Sequence, residues 1–167
     1  MCVVDSVCVI ALKHAVKLDD QWDFFAGLGL LLDAGALAFP KQVVAEVRGV
    51  KYPDMPGTWI AGNRRGCRHP SPSDESLAEV LALLQRPEVS LVEANATLDK
   101  ADPYLVAMAY DLRQRYPASR VLVATDDVTD RASQMSPATA CAELDIERVG
   151  TDGFLEWVDV ALKEIGA

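Results

Sequence analysis

The stretch CVVD at residues 2–5 and the stretch VLVATDD at residues 121–127 decide the fold of this chain. Each is a short apolar run, rich in valine, that ends in a carboxylate: Asp5 in the first, Asp126 and Asp127 in the second. Runs of this kind are typical of buried strands in a parallel sheet. The carboxyl ends of such strands share one edge of the sheet, and ligands bind in the crevice beyond that edge. The sequence therefore predicts acidic groups gathered at a binding crevice.

The rest of the chain alternates between helical and strand periodicity, which predicts an α/β fold. We expect a three-layer α/β/α sandwich with a parallel sheet. The first predicted helix has the stripe Trp22, Phe25, Leu28 and Leu32 and ends at Gly35, and it is followed by helices over 40–49 and 56–65 and by a helix with the stripe Leu77, Val80, Leu81 and Leu84. A further helix begins at Asp102-Pro103 and leads to the strand 121–125. The chain then forms a short helix from Ser136, a strand over 146–149 and a last helix capped by Asp152.

Length and composition predict one cytoplasmic domain spanning 1–167. The chain has 167 residues, 50% of them apolar and 25% charged, which suits a single globular core. The longest nearly unbroken apolar run, 24–32, is about half the ~20 residues of a membrane helix, so we expect no membrane association. The four cysteines lack the spacing of a zinc site or a disulfide framework, and we expect reduced thiols.

Charge is unevenly distributed along the chain. The net charge is −9, yet residues 48–69 carry five cations against one anion, a net +4, which leaves −13 on the remainder. An acidic protein is a poor match for the phosphate contacts of nucleic-acid binding, but a local basic segment supplies them. The alternative is a solvated loop whose arginines only keep it soluble.

Two further acids stand in positions that need an explanation. Glu46 shares one helical face with Val43, Val47 and Val50, so its carboxylate lies in a stripe that should pack inward, unless it reaches solvent from the edge of that stripe. Asp102 precedes Pro103, the arrangement that a helix start prefers, so an ordinary N-cap is its alternative role.

A cluster of carboxylates needs a compensating charge. Two of them about 4 Å apart repel by about 4 kcal/mol at an effective dielectric near 20, so several in one crevice either hold protons or recruit a divalent ion. Oxygen ligands favour Mg²⁺ or Mn²⁺, whereas zinc prefers nitrogen and sulfur. With only two histidines in the chain, we expect Mg²⁺ (or Mn²⁺) as the cofactor.

Four segments, taken in order, resemble the successive motifs of the PIN-domain nucleases. They are Val3-Val4-Asp5-Ser6 followed by Val9-Ile10, the helix of Glu46, the stretch ADPYLVA at 101–107, and VATDD at 123–127. The resemblance covers nearly the whole chain and is closest to a PIN-like branch with a helical insertion between the second and third motifs, here residues 48–86 with the basic segment. This chain departs from the commoner pattern, which has Thr and Asn after the first Asp, where Ser6 and Val7 stand here.

The resemblance implies a single PIN-like domain that cleaves RNA with a divalent metal. Asp5, Glu46 and Asp102 match the first three acids, and the fourth falls on Asp127, with Asp126 beside it. The resemblance also implies the toxin of a toxin–antitoxin pair, with a small antitoxin as partner and a homodimer as a common assembly. In this interpretation the metal is bound by Asp5, Asp102, Asp127 and Asp126, and Glu46 is a further ligand or the catalytic base. Ser6 and Thr125 support the acids. RNA is contacted by Lys51, Arg64, Arg65 and Arg68, and Trp59 stacks on a base.

Other functions stay open on sequence grounds. A haloacid-dehalogenase phosphatase needs a second Asp two residues after the first, where this chain has Val7. A phospho-receiver domain needs paired acids after its first strand and a later lysine, and neither is evident. A catalytically inactive scaffold that binds RNA or a protein partner, and a nuclease acting on DNA, are the alternatives that remain.

Overall fold

The computed structural model describes residues 1–48, 54–65, 67–84, 91, 100–131 and 134–166. Lys51 and parts of the predicted 48–86 insertion lie outside these ranges. The described part contains strands β1 (Cys2–Val4), β2 (Leu37–Ala38), β3 (Leu122–Ala124) and β4 (Glu147–Val149), and helices α1 (Ser6–Ala15), α2 (Gln21–Ala34), α3 (Lys41–Arg48), α4 (Met55–Asn63), α5 (Asp74–Leu83), α6 (Ala101–Arg115), α7 (Pro137–Glu143) and α8 (Thr151–Ile165).

The four strands form one parallel sheet in the order β2-β1-β3-β4. Val3 of β1 is in register with Ala38 of β2 and with Val123 of β3, and Ala124 of β3 is in register with Val149 of β4. The two strands that the opening stretches predict are therefore the central pair. The expected α/β fold with a parallel sheet is confirmed.

Apolar cores cover both faces of the sheet. Cys2 and Val4 of β1 belong to one core, together with residues of α1, α2, α3, α4 and α8. Val3, which points to the opposite face, belongs to a second core with residues of α5, α6 and α7. This arrangement is compatible with the expected three-layer α/β/α sandwich.

Several helix ends form as the sequence predicts. Gly35 ends α2 in the left-handed conformation at φ 75°, which glycine adopts without steric cost. The Ser136 side chain accepts a hydrogen bond from Thr139 N at the start of α7. Helix α4 matches the predicted helix over 56–65 within two residues.

Two of the strands and helices named above were not predicted. Helix α1 follows directly on β1 because Asp5 caps it, and Cys8, Val9 and Leu12 pack inward at helical spacing. Strand β2 is only two residues long, too short to produce a recognisable pattern in the sequence.

Three expectations for single residues were wrong. Trp22, assigned to the inward stripe of α2, is 73% exposed. Trp59, considered for base stacking, is buried against Phe25 and Phe39 with ring centroids 5.7 and 6.0 Å away. The N-cap of α8 is Gly150, and Asp152 lies inside the first turn.

None of the helices in the described ranges combines the length and the apolar character needed to cross a membrane.

Candidate functional site

Side chains from four separate elements meet at the carboxyl edge of the sheet. Asp5 follows β1 and Asp127 follows β3, while Glu46 comes from α3 and Asp102 from α6. Asp5, Glu46 and Asp127 all act electrostatically on Asp102, and hydrogen bonds connect Asp5 to Glu46 through Ser6. We call these four residues the acidic cluster.

Asp5 is the most buried member of the acidic cluster, with 1% of its surface exposed. Its Oδ1 accepts hydrogen bonds from Ser6 N at 2.6 Å and from Ser6 Oγ at 3.3 Å, and its Oδ2 accepts one from Thr125 Oγ1 at 2.7 Å. Burial raises the pKa of the Asp5 carboxyl, and the bonds from Thr125 and Ser6 oppose that rise. Ser6 and Thr125 therefore lie where they were predicted, in direct contact with the first acid.

Glu46 lies at the rim of its helix rather than inside the stripe. Val43 and Val47 on the same helix are buried, whereas Glu46 is exposed. Its Oε2 accepts a 2.5 Å hydrogen bond from Ser6 Oγ, and its Oε1 accepts a 2.8 Å bond from Ala101 N. The Ala101 N–H is one of the donors that α6 cannot satisfy internally, so Glu46 fixes the start of α6 beside Asp5.

Asp102 is not the N-cap of α6, because Lys100 holds that position. Its side chain accepts a long 3.4 Å hydrogen bond from Gln134 Nε2. The pKa of Asp102 is raised to about 7, first by burial and then by the negative charges of Asp5, Glu46 and Asp127, and Lys100 lowers it only as the smallest effect. The nearby carboxylates therefore disfavour ionisation of Asp102, in addition to its burial.

The neighbours Asp126 and Asp127 have different surroundings. Asp126 Oδ1 accepts from Thr151 N at 3.0 Å and its Oδ2 accepts from Thr151 Oγ1 at 2.5 Å, so this carboxylate caps α8. Gly150 permits the approach, since a Cβ there would lie 2.7 Å from Asp126 Oδ1. Asp127 is half-buried, and its backbone N–H donates a 3.1 Å hydrogen bond to Thr125 Oγ1. The geometry favours Asp127 over Asp126 as the fourth acid of the cluster.

The acidic cluster is not a preformed metal centre. In the part of the chain that the structure describes, no three His, Cys, Asp or Glu side chains lie in an arrangement that would hold an ion. The donors nevertheless suit Mg²⁺ or Mn²⁺, because all are carboxylate oxygens, and the charges of Asp5, Glu46 and Asp127 add to burial in raising the pKa of Asp102.

The predicted RNA-binding cations are not all near the acidic cluster. Arg64 and Arg65 are exposed at the end of α4, which packs on α3, the helix of Glu46. Arg68 instead lies at the amino edge of the sheet, with its Nη1 3.5 Å from Ala34 O, at the end of α2. It therefore contributes nothing to a crevice at the carboxyl edge. Lys51 is outside the described residues.

Three contacts at the site involve residues that the sequence did not single out. Gln134 donates to Asp102, Thr151 holds Asp126, and Arg148 Nη1 donates to Thr125 O at 3.0 Å. Each partner is more than 20 residues away along the chain, so no local pattern identifies these contacts.

Comparison of the chain with family models, with curated proteins and with solved structures finds no match. The resemblance to PIN-domain nucleases therefore stays a prediction from sequence motifs. Functional inference depends on the geometry described above.

Proposed function

We propose that this protein is a Mg²⁺- or Mn²⁺-dependent endoribonuclease of the PIN-like type. The observation that carries the proposal is Asp102, whose pKa is raised to about 7 by burial and by three other carboxylates. Such an accumulation of charge is unfavourable without a cation and is typical of functional sites. Its place at the carboxyl edge of a parallel sheet is where ligands of such folds bind.

The residues of the proposed site have two roles: some would bind the ion, and others orient the side chains that bind it. Asp5, Asp102 and Asp127 would hold the ion, with Glu46 as a further ligand or as the base that accepts a proton from water. A bound divalent ion lowers the pKa of water and neutralises charge that develops on a phosphodiester. Ser6 and Thr125 fix the orientation of Asp5 by their hydrogen bonds, so the site needs little rearrangement on that side.

RNA would approach from the side of α4. Arg64 and Arg65 lie at the end of α4, which adjoins the helix of Glu46, and they are proposed to contact phosphates. Because phosphate contacts release counterions, we expect binding of RNA to weaken steeply as salt rises.

A cleavage assay on purified protein tests the proposal. Single-stranded RNA is incubated with and without Mg²⁺ or Mn²⁺, using the parent and the variants Asp5→Asn and Asp102→Asn. The matched control is Asp159→Asn, which removes the same charge from the exposed face of α8. We expect the two site variants to lose activity by about 100-fold or more, and the control to keep it. Equal rates for site variants and parent would contradict the assignment.

An inactive scaffold is the second candidate function. This chain has Val7 where the PIN-domain pattern has Asn, and the loss of that amide favours an inactive scaffold. The lack of a preformed metal centre among the described residues favours it as well. An active site binds the divalent ion and loses it on Asp102→Asn, whereas a scaffold shows no such binding. A single-stranded DNA substrate in the same assay distinguishes an RNA-specific enzyme from a nuclease acting on DNA.

The biological setting is proposed from the resemblance alone. It would be that of a cytoplasmic toxin inhibited by a small antitoxin, with dimerisation of the chain. A basic partner is electrostatically favourable, because the chain has a net charge of −9.

A further inference from the structure

A cavity opens at the amino edge of the sheet, the end opposite to the acidic cluster. Its volume is about 570 Å³, and its walls include Met1 before β1, Gly35 before β2 and Ser119 before β3, together with Arg68, His69 and Tyr116. This volume lies in the range of pockets that bind small organic ligands. We call it the amino-edge pocket.

Arg68 gives the amino-edge pocket a positive charge on a protein that is otherwise strongly acidic. The side chain is exposed, and its one hydrogen bond within the described residues is the 3.5 Å contact from Nη1 to Ala34 O. A guanidinium group has five N–H donors, more than this one contact within the described residues uses. Arginine binds phosphate through two parallel hydrogen bonds, which a planar fork of donors allows.

Two aromatic rings form the wall next to this cation. The rings of His69 and Tyr116 pack edge to face, with centroids 5.7 Å apart and planes at 73°. His69 is fixed by a 2.9 Å hydrogen bond between its Nε2 and Gly35 O, whereas Tyr116 is 39% exposed. A large ring that is partly exposed and held by its neighbour offers a surface on which a nucleobase can stack.

Gly35 allows these groups to come together. A Cβ at this position would lie 3.3 Å from Arg68 Cδ, a tight contact, and 3.4 Å from His69 Nε2. The glycine that ends α2 therefore also sets the spacing between the cation and the aromatic pair.

We propose that the amino-edge pocket binds a nucleoside phosphate, with the phosphate on Arg68 and the base on Tyr116. The Ser119 hydroxyl, which also lines the pocket, is a polar partner for the sugar. This inference does not depend on the nuclease proposal, because the pocket and the acidic cluster lie at opposite edges of the sheet. The ligand is either a free nucleotide or the 5′-phosphorylated end of an RNA.

Calorimetric titration with adenosine and guanosine monophosphates tests the pocket, in EDTA so that no divalent ion is present at the acidic cluster. The parent is compared with Arg68→Ala, Tyr116→Ala and Ser119→Trp, the last of which fills the cavity. Arg131→Ala is the matched control, since it removes an exposed arginine that does not line the pocket. Circular dichroism and the melting temperature show that each variant is folded.

We expect the parent to bind nucleotide and Arg68→Ala to bind about tenfold more weakly or worse, as loss of a charge-assisted contact predicts. Tyr116→Ala and Ser119→Trp should also weaken binding, and Arg131→Ala should not. A 5′-phosphorylated oligonucleotide that binds better than its 5′-hydroxyl form identifies an RNA end, and binding of the mononucleotide alone identifies a free nucleotide.

Three results would overturn the inference. They are no binding at millimolar nucleotide, equal binding by the parent and a folded Ser119→Trp variant, and inorganic phosphate or unphosphorylated nucleoside binding as tightly as the nucleotide.

Discussion

At the carboxyl edge of the sheet, side chains from four elements bring carboxylates together, whereas at the amino edge the corresponding loops leave an open pocket beside one arginine and two aromatic rings. Both edges are formed by the same parallel strands, so the difference comes from the loops and helices that meet at each edge. At the carboxyl edge Asp5 is buried together with Ser6 and Thr125, which both donate hydrogen bonds to it. At the amino edge the pocket residues Arg68 and Tyr116 are exposed. The comparison indicates that the acidic edge is the part of the molecule where ionisation of a side chain opposes stability.

The largest effect should come from removing one charge at the acidic edge. The pKa of Asp102 is about 7 in the folded protein, whereas its ordinary value is 3.8. Asp102 therefore makes its full contribution to the free energy of unfolding below pH 4, and this contribution is lost as pH rises through about 7. In the absence of divalent ions, Asp102→Asn should therefore raise the free energy of unfolding at pH 8 by about 2–4 kcal/mol. Urea denaturation of the parent and the variant measures this difference in the free energy of unfolding.

The same experiment at pH 4.5 supplies a control, because most of the advantage of Asp102→Asn should be gone there. Asp159→Asn on α8 should change the free energy of unfolding by less than about 0.5 kcal/mol at either pH. A stabilisation by Asp102→Asn that does not vary with pH would show that charge is not its cause.

The next largest effect concerns the hydrogen bonds that hold Asp5. Thr125 is fully buried, and its hydroxyl donates to Asp5 Oδ2 and accepts from Asp127 N. Thr125→Val should lower the free energy of unfolding by about 2 kcal/mol, because a buried carboxylate oxygen and an amide then lack partners. Thermal unfolding measures the loss, and Ser119→Ala at the exposed amino edge should change stability by less than about 0.5 kcal/mol. Similar losses at both edges would contradict the comparison.

A smaller effect should follow from crowding the cap of α8. In Gly150→Ala, the new Cβ would lie 2.7 Å from Asp126 Oδ1 and force this carboxylate away from Thr151. We expect a loss of about 1–2 kcal/mol, the usual value of an N-cap, measured by chemical denaturation.

The matched glycine substitution should have the smallest effect and the opposite sign. Gly29 lies inside α2 with no atom within 4 Å of an added Cβ, so Gly29→Ala should raise stability by about 0.5–1 kcal/mol. If Gly150→Ala were equally well tolerated, Asp126 would not be fixed by Thr151 as described.

The sequence predicted the central strands and most helices because their signals are local. Valine runs indicate β1 and β3, and Gly35 and Ser136 mark helix ends that the structure confirms. Helix α1 was missed because its inward stripe directly continues the apolar run of β1, and the cap that separates them, Asp5, was interpreted only as a functional acid.

The candidate site was predictable in its members but not in their contacts. Asp5, Glu46, Asp102 and Asp127 stand out as acids in apolar or helix-starting contexts, and the structure brings them together. The different surroundings of Asp126 and Asp127 depend on Thr151, and the distance of Arg68 from the cluster depends on how the chain returns to the amino edge. Both features depend on contacts between segments that are far apart in the sequence, so residue spacing alone does not predict them.

The central claim is that the acidic cluster binds a divalent ion, and titration of metal-free protein with Mg²⁺ and Mn²⁺ in a calorimeter at pH 7.5 tests it most directly. We predict saturable binding by the parent and by Asp159→Asn, together with loss of binding in Asp102→Asn despite its greater stability. No saturable binding by the parent, or equal binding by Asp102→Asn, would contradict the claim.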